Sequence, residues 1–331
     1  MEKIKGEVVK YDKESGCGII RSRGKELVFR INSDKKVRFQ KGDVVEFLPK
    51  QERNGRMYAE QVKVLTCRLP ADTADLLSNN QPIDNFSLKL NKAAHICQNK
   101  FSFDDGMNGS DFNIGMIEQL SRRLNSSLAE TGWIVKSLVF QTDWRLAVGL
   151  GGASVYENSI TLHHIYGFPY IPGSAVKGTV RSWIIGEYFG NDEKKALGNQ
   201  GFCRIFGSPS NGAEGAYQGD VLFFDAYPVG KPTIKQDIMN PHYSFYYRKG
   251  NQGAAPRDDE NPVPILFLTV ENTKFQFLFA IRERDNLKLN DRDLGSRTLL
   301  DVVLQELPRA LENQGIGAKT AVGYGYMSPA Q

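Results

Sequence analysis

The sequence predicts an α+β protein in two parts: a small all-β barrel over residues 1–65, and a larger mixed body behind it. Three observations carry this expectation. Five short runs rich in Val, Ile and Phe, separated by turn residues, fill the first 65 positions, the pattern of a small barrel. Beyond residue 110, apolar residues recur at helical spacing and strand-like runs lie between them. Charge also divides the chain: residues 1–65 carry 16 Lys/Arg against 10 Asp/Glu, in a protein of 331 residues whose net charge is +4. That length suits two or three domains, and a basic barrel ahead of a near-neutral body points toward a nucleic-acid partner.

The five strands of the barrel are expected at 6–9, 18–20, 26–30, 43–47 and 58–64. Their order, with Gly16-Cys17-Gly18 and Gly42-Asp43 as landmarks, resembles the cold-shock domain, an OB-type barrel. Such domains stack bases on surface aromatics. The matching positions here are Lys10, Cys17, Ile19, Val28 and Arg30, none of them aromatic. Base stacking is therefore not expected on that face; phosphate tracking by Lys10, Arg21 and Arg30 remains open, as does the docking of a protein. Residues 66–110, punctuated by Pro70, Pro82 and Asp104-Asp105-Gly106, read as a linker wrapping onto the second domain, with a short strand at 86–90. Residues 111–130 are predicted helical, with Asp111 as cap, Ile117, Leu120, Leu124 and Leu128 as the buried stripe, and Arg122 and Arg123 in solvent.

Residues 133–148 read as a largely buried strand that includes Val135, Phe140, Trp144 and Leu146. It leads through Gly149-Leu150-Gly151-Gly152 to the pair His163-His164. Adjacent residues of a strand point to opposite faces, so only one of the two histidines can face a given site. Next comes Tyr170-Ile171-Pro172-Gly173-Ser174-Ala175-Val176-Lys177-Gly178-Thr179-Val180-Arg181. Proline and glycine fix a corner, Ser174 stands where an N-cap belongs, and Val176, Val180, Trp183, Ile184 and Tyr188 follow at helical spacing. Lys177 and Arg181 share one helix face with Ser174 at its start. Two readings stay open: an anion site built from the helix N-terminus and two cations, or an amphipathic helix with two solvated cations.

A helical turn is expected at 202–207 and a buried strand at 219–226. Strands at 264–271 and 274–281, flanking Asn272-Thr273, read as a hairpin. The intervening 227–264 is too long for a plain connection. It holds His242, Tyr243 and Arg248 among aromatics that suit either stacking on unpaired bases or pinning the segment to the body. Residues 297–314 are predicted helical, with Leu299, Leu300, Val303, Leu304, Leu307 and Leu311 buried and Pro308 as a kink. Then comes Gly315-Ile316-Gly317-Ala318-Lys319-Thr320-Ala321-Val322-Gly323-Tyr324-Gly325-Tyr326. Phosphate loops run strand, glycines, helix; here a helix precedes and a short strand follows. Glycines around a lysine instead suit a loop that lets a nucleic-acid backbone approach main-chain N–H groups.

Four cysteines, Cys17, Cys67, Cys97 and Cys203, form no C-x-x-C pair. That argues against a zinc site or a disulfide framework and fits a reducing compartment. No apolar run approaches membrane-spanning length and the charged start lacks a signal-peptide core, so a cytoplasmic protein with no membrane partner is expected.

The order strand, glycine turn, Ile171-Pro172-Gly173-Ser174, Lys177-Gly178, Arg181 and finally Gly315-x-Gly317 with Gly323-x-Gly325 is similar to the RAMP superfamily of CRISPR effector proteins. Three further features resemble its sixth-subunit type from type III-B (Cmr) complexes. They are Gly149-Leu150-Gly151 with Glu157 and the 166–170 run, Met239-Asn240-Pro241-His242-Tyr243, and Asn261-Pro262-Val263-Pro264-Ile265. The resemblance covers about residues 66–328. It implies a ferredoxin-like (RRM-like) RAMP fold over 111–331, with 227–264 as an insertion and the barrel as an addition. It also implies a non-catalytic backbone subunit near the 3′ end of a guide RNA, without cofactor or metal. Its partners would be the guide and target RNA, neighbouring RAMP subunits and a small helical subunit. The RNA-facing residues expected on this reading are Gly173, Ser174, Lys177, Arg181, Tyr243, Arg248, Gly315, Gly317, Lys319, Thr320, Gly323 and Gly325. Cleavage in such complexes belongs to an aspartate of another subunit, a role that Asp143 or Asp237 could imitate. Two other readings compete: a metal-independent, guide-processing endoribonuclease with His163, His164 or His242 as general acid/base, and a docking module whose barrel binds a protein.

Overall fold

The computed structural model describes residues 3–12, 14–30, 39, 41–51, 57–64, 85–92, 95–97, 100–102, 112–154, 156, 158–241, 262, 264–330. His242, Tyr243, Arg248 and Glu157 lie outside them. The chain forms two compact units, Met1–Gln81 with Lys92–Asp104, and Pro82–Asn91 with Asp105–Gln331.

In the first unit, β1 (Ile4–Asp12), β2 (Cys17–Ser22), β3 (Lys25–Arg30), β4 (Val44–Gln51) and β5 (Met57–Val64) close into a barrel of order β1-β2-β3-β5-β4. All pairs are antiparallel except β3 with β5. Alternate positions point inward, so Val8, Ile20, Leu27, Phe29, Val45 and Phe47 fill the interior. Closure removes the free edges that five short strands would otherwise expose. A short antiparallel pair, β6 (His95–Cys97) with β7 (Lys100–Ser102), belongs to the same unit.

The second unit begins with a helix, Phe86–Lys92, where a strand was expected. Phe86 and Leu90, four apart, are its buried pair, and the Asn85 side chain accepts from the Leu88 N–H at 3.0 Å. A cap and i,i+4 burial thus outweigh the alternation read over five residues. The helix Ile114–Ala129 is capped by Asn113, not Asp111: its side chain accepts from the Met116 N–H. Only Ile117 of the four stripe residues is fully buried.

The expected hairpin at 264–281 does not form. β13 (Ile265–Glu271) and β14 (Lys274–Arg282) lie in different sheets. β14 pairs along its length with β8 (Trp133–Thr142), and β13 pairs with β9 (Arg145–Leu146). Two long antiparallel segments therefore bend together. Gln141 faces Lys274 and Arg145 faces Glu271, so 142–144 lie opposite only Asn272 and Thr273, a bulge that turns the ribbon from one sheet into the next. Thr142 and Thr273 fasten the corner: the Thr142 N–H donates to the Thr273 carbonyl at 3.1 Å, and the Thr273 N–H to Thr142 Oγ1 at 3.2 Å. Asn272, at φ +42°, takes the left-handed turn. Turn-forming residues can bend a strand as well as reverse it; the partner at 133–146 decides which.

The first of these sheets runs β10 (Leu222–Phe223), β14, β8, β15 (Met327–Pro329), with β11 (Tyr227–Val229) also on β14. The expected strand at 219–226 is thus reduced to two residues. The second sheet is β12 (Thr233–Met239), β13, β9. The front of the 227–264 insertion is therefore two strands, not an irregular connection. β14 sits inside its sheet, and Phe275, Phe277, Leu278, Phe279, Ala280 and Ile281 are all buried.

Two helices cover this sheet. Gly173–Phe189 buries Val176, Val180 and Ile184, and Leu299–Asn313 buries Leu299, Leu300, Val302, Val303, Leu307, Ala310 and Leu311. The second is fixed by a Thr298/Asp301 capping box and continues through Pro308. Leu304 is only half-buried; Val302 and Glu306 take inward positions instead. Glu306, 1% exposed, is matched by four donors: Trp183 Nε1 at 3.0 Å, Tyr188 Oη at 2.6 Å, Arg297 at 2.8 Å and Arg309 at 3.1 Å. Burial pushes its carboxyl up, but these hydrogen bonds and cations outweigh it and hold it below the usual range. The two helices are thereby locked along their length.

Candidate nucleic-acid interface

Of the residues predicted to face RNA in the second part of the chain, Tyr243 and Arg248 lie outside the described residues and the other ten fall at two corners of the second unit. At the first, Ser174 is not the cap. The helix starts at Gly173, with Pro172 as N-cap and no side-chain capping bond. Gly173 is buried, and a Cβ there would fall on the Phe223 carbonyl, so its missing side chain serves close packing. Its N–H donates to Asp225 Oδ1 at 2.7 Å. A carboxylate of the same chain thus already occupies the positive end of this helix. Ser174 and Gly178 are exposed. Arg181 pairs with Glu193 at 2.6 Å and lies 5.2 Å from the Phe202 ring centroid. Lys177 has no carboxylate partner among the described residues; burial, and then Arg181, lower its pKa.

The second corner is open at its tip. Gly315, Gly317, Lys319, Gly323 and Gly325 all have positive φ. A Cβ on Gly325 would fall on the Ile316 carbonyl, so that position admits only glycine. The loop closes on itself through the Ile316 N–H to Gly325 carbonyl bond, 2.9 Å. It is pinned to β9 and the residue after it by Gly325 N–H to Arg145 carbonyl, 2.8 Å, and Ala318 N–H to Ala147 carbonyl, 2.7 Å. Gly317, Ala321, Val322 and Gly323 remain exposed, with Lys319 and Thr320 half-buried. The Lys319 ammonium lies 5.7 Å from the Phe267 ring centroid and 5.9 Å from that of Tyr324.

A polar set lies behind this loop. Tyr324 Oη donates to Asp237 Oδ2 at 2.5 Å, and Arg145 pairs with Asp237 and, at 3.5 Å, with Glu271. Burial raises the Asp237 carboxyl, but Tyr324 and Arg145 overcome it and hold it low; burial and then Asp237 push Tyr324 up to about 12. Asp237 is thus an ionised strut of the loop. Asp143 is exposed. The corners share a frame, since the Gln314 side chain, just before Gly315, donates to Ser182 of the first helix at 3.1 Å.

His163 and His164 lie at a turn between the bridged residues Leu162 and Pro169, not on a strand. His163 Nδ1 accepts from the N–H groups of Ile165 and Tyr166, both at 3.3 Å, among Tyr166, Phe168, Tyr170 and Tyr227. Burial lowers its pKa, only partly countered by Asp225. His164 is exposed. No cluster of three or more His, Cys, Asp or Glu able to hold a metal occurs among the described residues, and no helix among them is long and apolar enough to cross a membrane.

On the barrel, Lys10, Arg21 and Arg30 are exposed, with Arg21 paired to Glu26 at 3.0 Å. The registers align Lys10, Ile19, Val28 and Tyr58 across four strands. Tyr58 therefore joins the face that lacked an aromatic, through the one parallel pairing, which local sequence does not disclose. The residues that sequence reasoning missed at the corners are Asp225, Arg145 and the exposed Trp144. The positions of all three depend on contacts distant in the chain.

A model of the RAMP superfamily matches residues 138–328, which include both corners. Among characterised proteins, the chain is 36% identical over 251 residues to the CRISPR system Cmr subunit Cmr6 of Pyrococcus furiosus, covering 61% of this chain and 68% of that one. It is 26% identical over 207 residues to Cmr6 of Saccharolobus solfataricus, covering 61% of this chain and 60% of its relative. The chain belongs to the RAMP superfamily and, within it, to the Cmr6 family. A chain in a solved Type III-B Cmr-beta complex bound to cognate target RNA shares the fold, with a TM-score of 0.52 and 23% identity over 68% of this chain and 69% of that one.

Proposed function

We propose that the chain is a non-catalytic, RNA-binding backbone subunit of a cytoplasmic type III-B CRISPR effector complex. It holds the 3′ part of the guide RNA and contacts neighbouring RAMP subunits and the small helical subunit, so that the guide can select target RNA. A ferredoxin-like framework under the two corners goes with this reading. The observation that carries it is the tip of the glycine loop. There, the exposed Gly317 N–H, which has no acceptor among the described residues, stands near Lys319, while Gly323 closes the tip by donating to the Thr320 carbonyl at 3.0 Å and the base of the loop is hydrogen-bonded to the sheet. Such a surface suits a sugar–phosphate strand, because main-chain N–H groups and a cation meet phosphates without reading sequence. Lys177, half-buried and without a carboxylate partner among the described residues, is a second phosphate ligand on this reading, beside Ser174 and Arg181. The barrel cations Lys10, Arg21 and Arg30 supply a further, sequence-independent contact.

The test is co-purification of RNA with the full chain across a salt series. Retention should fall steeply with salt, and Lys319→Ala combined with Gly323→Val should lower it at every salt concentration. Unchanged retention in that variant, or in Lys177→Ala with Arg181→Ala, removes the corresponding corner from the proposal. Cleavage of repeat RNA in EDTA, abolished by His163→Ala, would replace it with the guide-processing reading.

A further inference from the structure

Trp144 is 49% exposed, although it lies between two strands whose neighbouring residues, Thr142 and Leu146, are buried. The bulge explains this: 142–144 lie opposite only two partner residues, and the surplus turns the indole outward. Its position is nonetheless fixed. The Asp143 N–H donates to the Tyr326 carbonyl at 3.0 Å, and the Arg145 carbonyl accepts from the Gly325 N–H at 2.8 Å. Both residues flanking Trp144 are thus bonded to the end of the glycine loop. The ring rests against Tyr324, centroids 4.8 Å apart, with the Arg145 guanidinium 5.3 Å from its centre. Gly323 borders it without covering it: even a Cβ at that position would stand 4.0 Å from Trp144 Cε3.

We infer that Trp144 is a stacking platform for an unpaired base of the strand held by the glycine loop. This rests on the reading of the loop as an RNA site and adds a chemical class of contact to it. An indole face takes any base, since every base has a π-face. The Gly317 N–H and the Lys319 ammonium would meet the backbone of the same nucleotide or its neighbour. The surroundings favour a base over a protein side chain: bare glycine backbone at Gly323 borders the ring and a guanidinium held by Asp237 lies over it, so the indole is braced while nearly half of it stays open to stack.

The test measures fluorescence anisotropy of the full chain with two labelled probes, a single-stranded oligoribonucleotide of mixed sequence and a sugar–phosphate oligomer of equal length without bases. Trp144→Ala should weaken the first roughly 5- to 100-fold and leave the second unchanged, while Trp144→Phe retains most of the affinity. Equal affinity of Trp144→Ala and the parent for the base-containing probe overturns the inference while leaving the RNA-site reading intact. Equal losses on both probes overturn it as well, because the ring would then act only through the loop's shape. A parent that binds neither probe overturns both readings together. Loss of a co-purifying subunit from Trp144→Ala, with RNA affinity unchanged, assigns the ring to a protein interface instead.

Discussion

The two glycine corners carry similar sequence signatures and are built for opposite purposes. At Gly173 the missing side chain lets a helix start against the Phe223 carbonyl, and Asp225 accepts from the N–H such a corner would offer a phosphate. At Gly315–Gly325, positive φ angles let the loop turn back on itself, and the exposed Gly317 N–H has no acceptor among the described residues. Glycine next to a cation is thus an ambiguous sign. Whether the corner is open depends on whether a carboxylate from elsewhere in the chain has filled it.

The two corners share one support, and removing it should produce the largest effect. Glu306 joins the helix that starts at the first corner to the helix that ends at the second. Glu306→Ala takes the acceptor from Trp183, Tyr188 and two arginines, and the expected loss is about 3 kcal/mol, the lower part of the range for a broken buried pair because Arg309 keeps Glu187 and Arg297 keeps Gln305. Denaturant titration would show it. The carboxyl is held low in the folded state, so its contribution is present above the unfolded value of 4.5 and disappears as pH falls through the lower folded value. Glu306→Ala should therefore flatten the acid limb of the stability curve.

Next in size is Gly325→Ala. It combines a left-handed backbone with a Cβ on the Ile316 carbonyl, and should destabilise by about 2–3 kcal/mol, read as a lower melting temperature. Loss of RNA retention in this variant should exceed the loss in Gly178→Ala, whose Cβ meets nothing within 4 Å. Equal retention in the two would erase the distinction between the corners.

The physics that made parts of this molecule legible was local. Barrel strands follow from alternating β-branched residues and Gly-Asp turns, and the 299–313 helix follows from its apolar period. The rest needed partners far along the chain. Asn272-Thr273 reads as a hairpin turn until residues 133–146 claim both flanking strands. Trp144 reads as core until the extra residue of the bulge is counted. Asp225 lies 52 residues from the glycine whose N–H it takes. Glu306 did leave a signal: a charged residue at an inward position, between Val303 and Leu307, calls for several donors.

The smallest expected effects sharpen the contrast from the filled corner. Asp225→Ala removes a charged acceptor from the Gly173 N–H and should lower stability by about 1–2 kcal/mol. It should also leave the helix start free to meet an anion. Inorganic phosphate should then raise the melting temperature of the variant more than that of the parent. The same change should be felt at His163. Burial holds the imidazole neutral, while the Asp225 charge opposes that shift. The unfolded state therefore binds more protons below the unfolded value of 6.5, and the protein loses stability as pH falls through that value. Without Asp225 the folded pKa drops further, so the acid loss should be steeper in Asp225→Ala than in the parent, and absent in Asp225→Ala with His163→Gln. If the slopes instead match between pH 5 and 7, Asp225 does not act on His163, and the first corner is filled by a hydrogen bond alone.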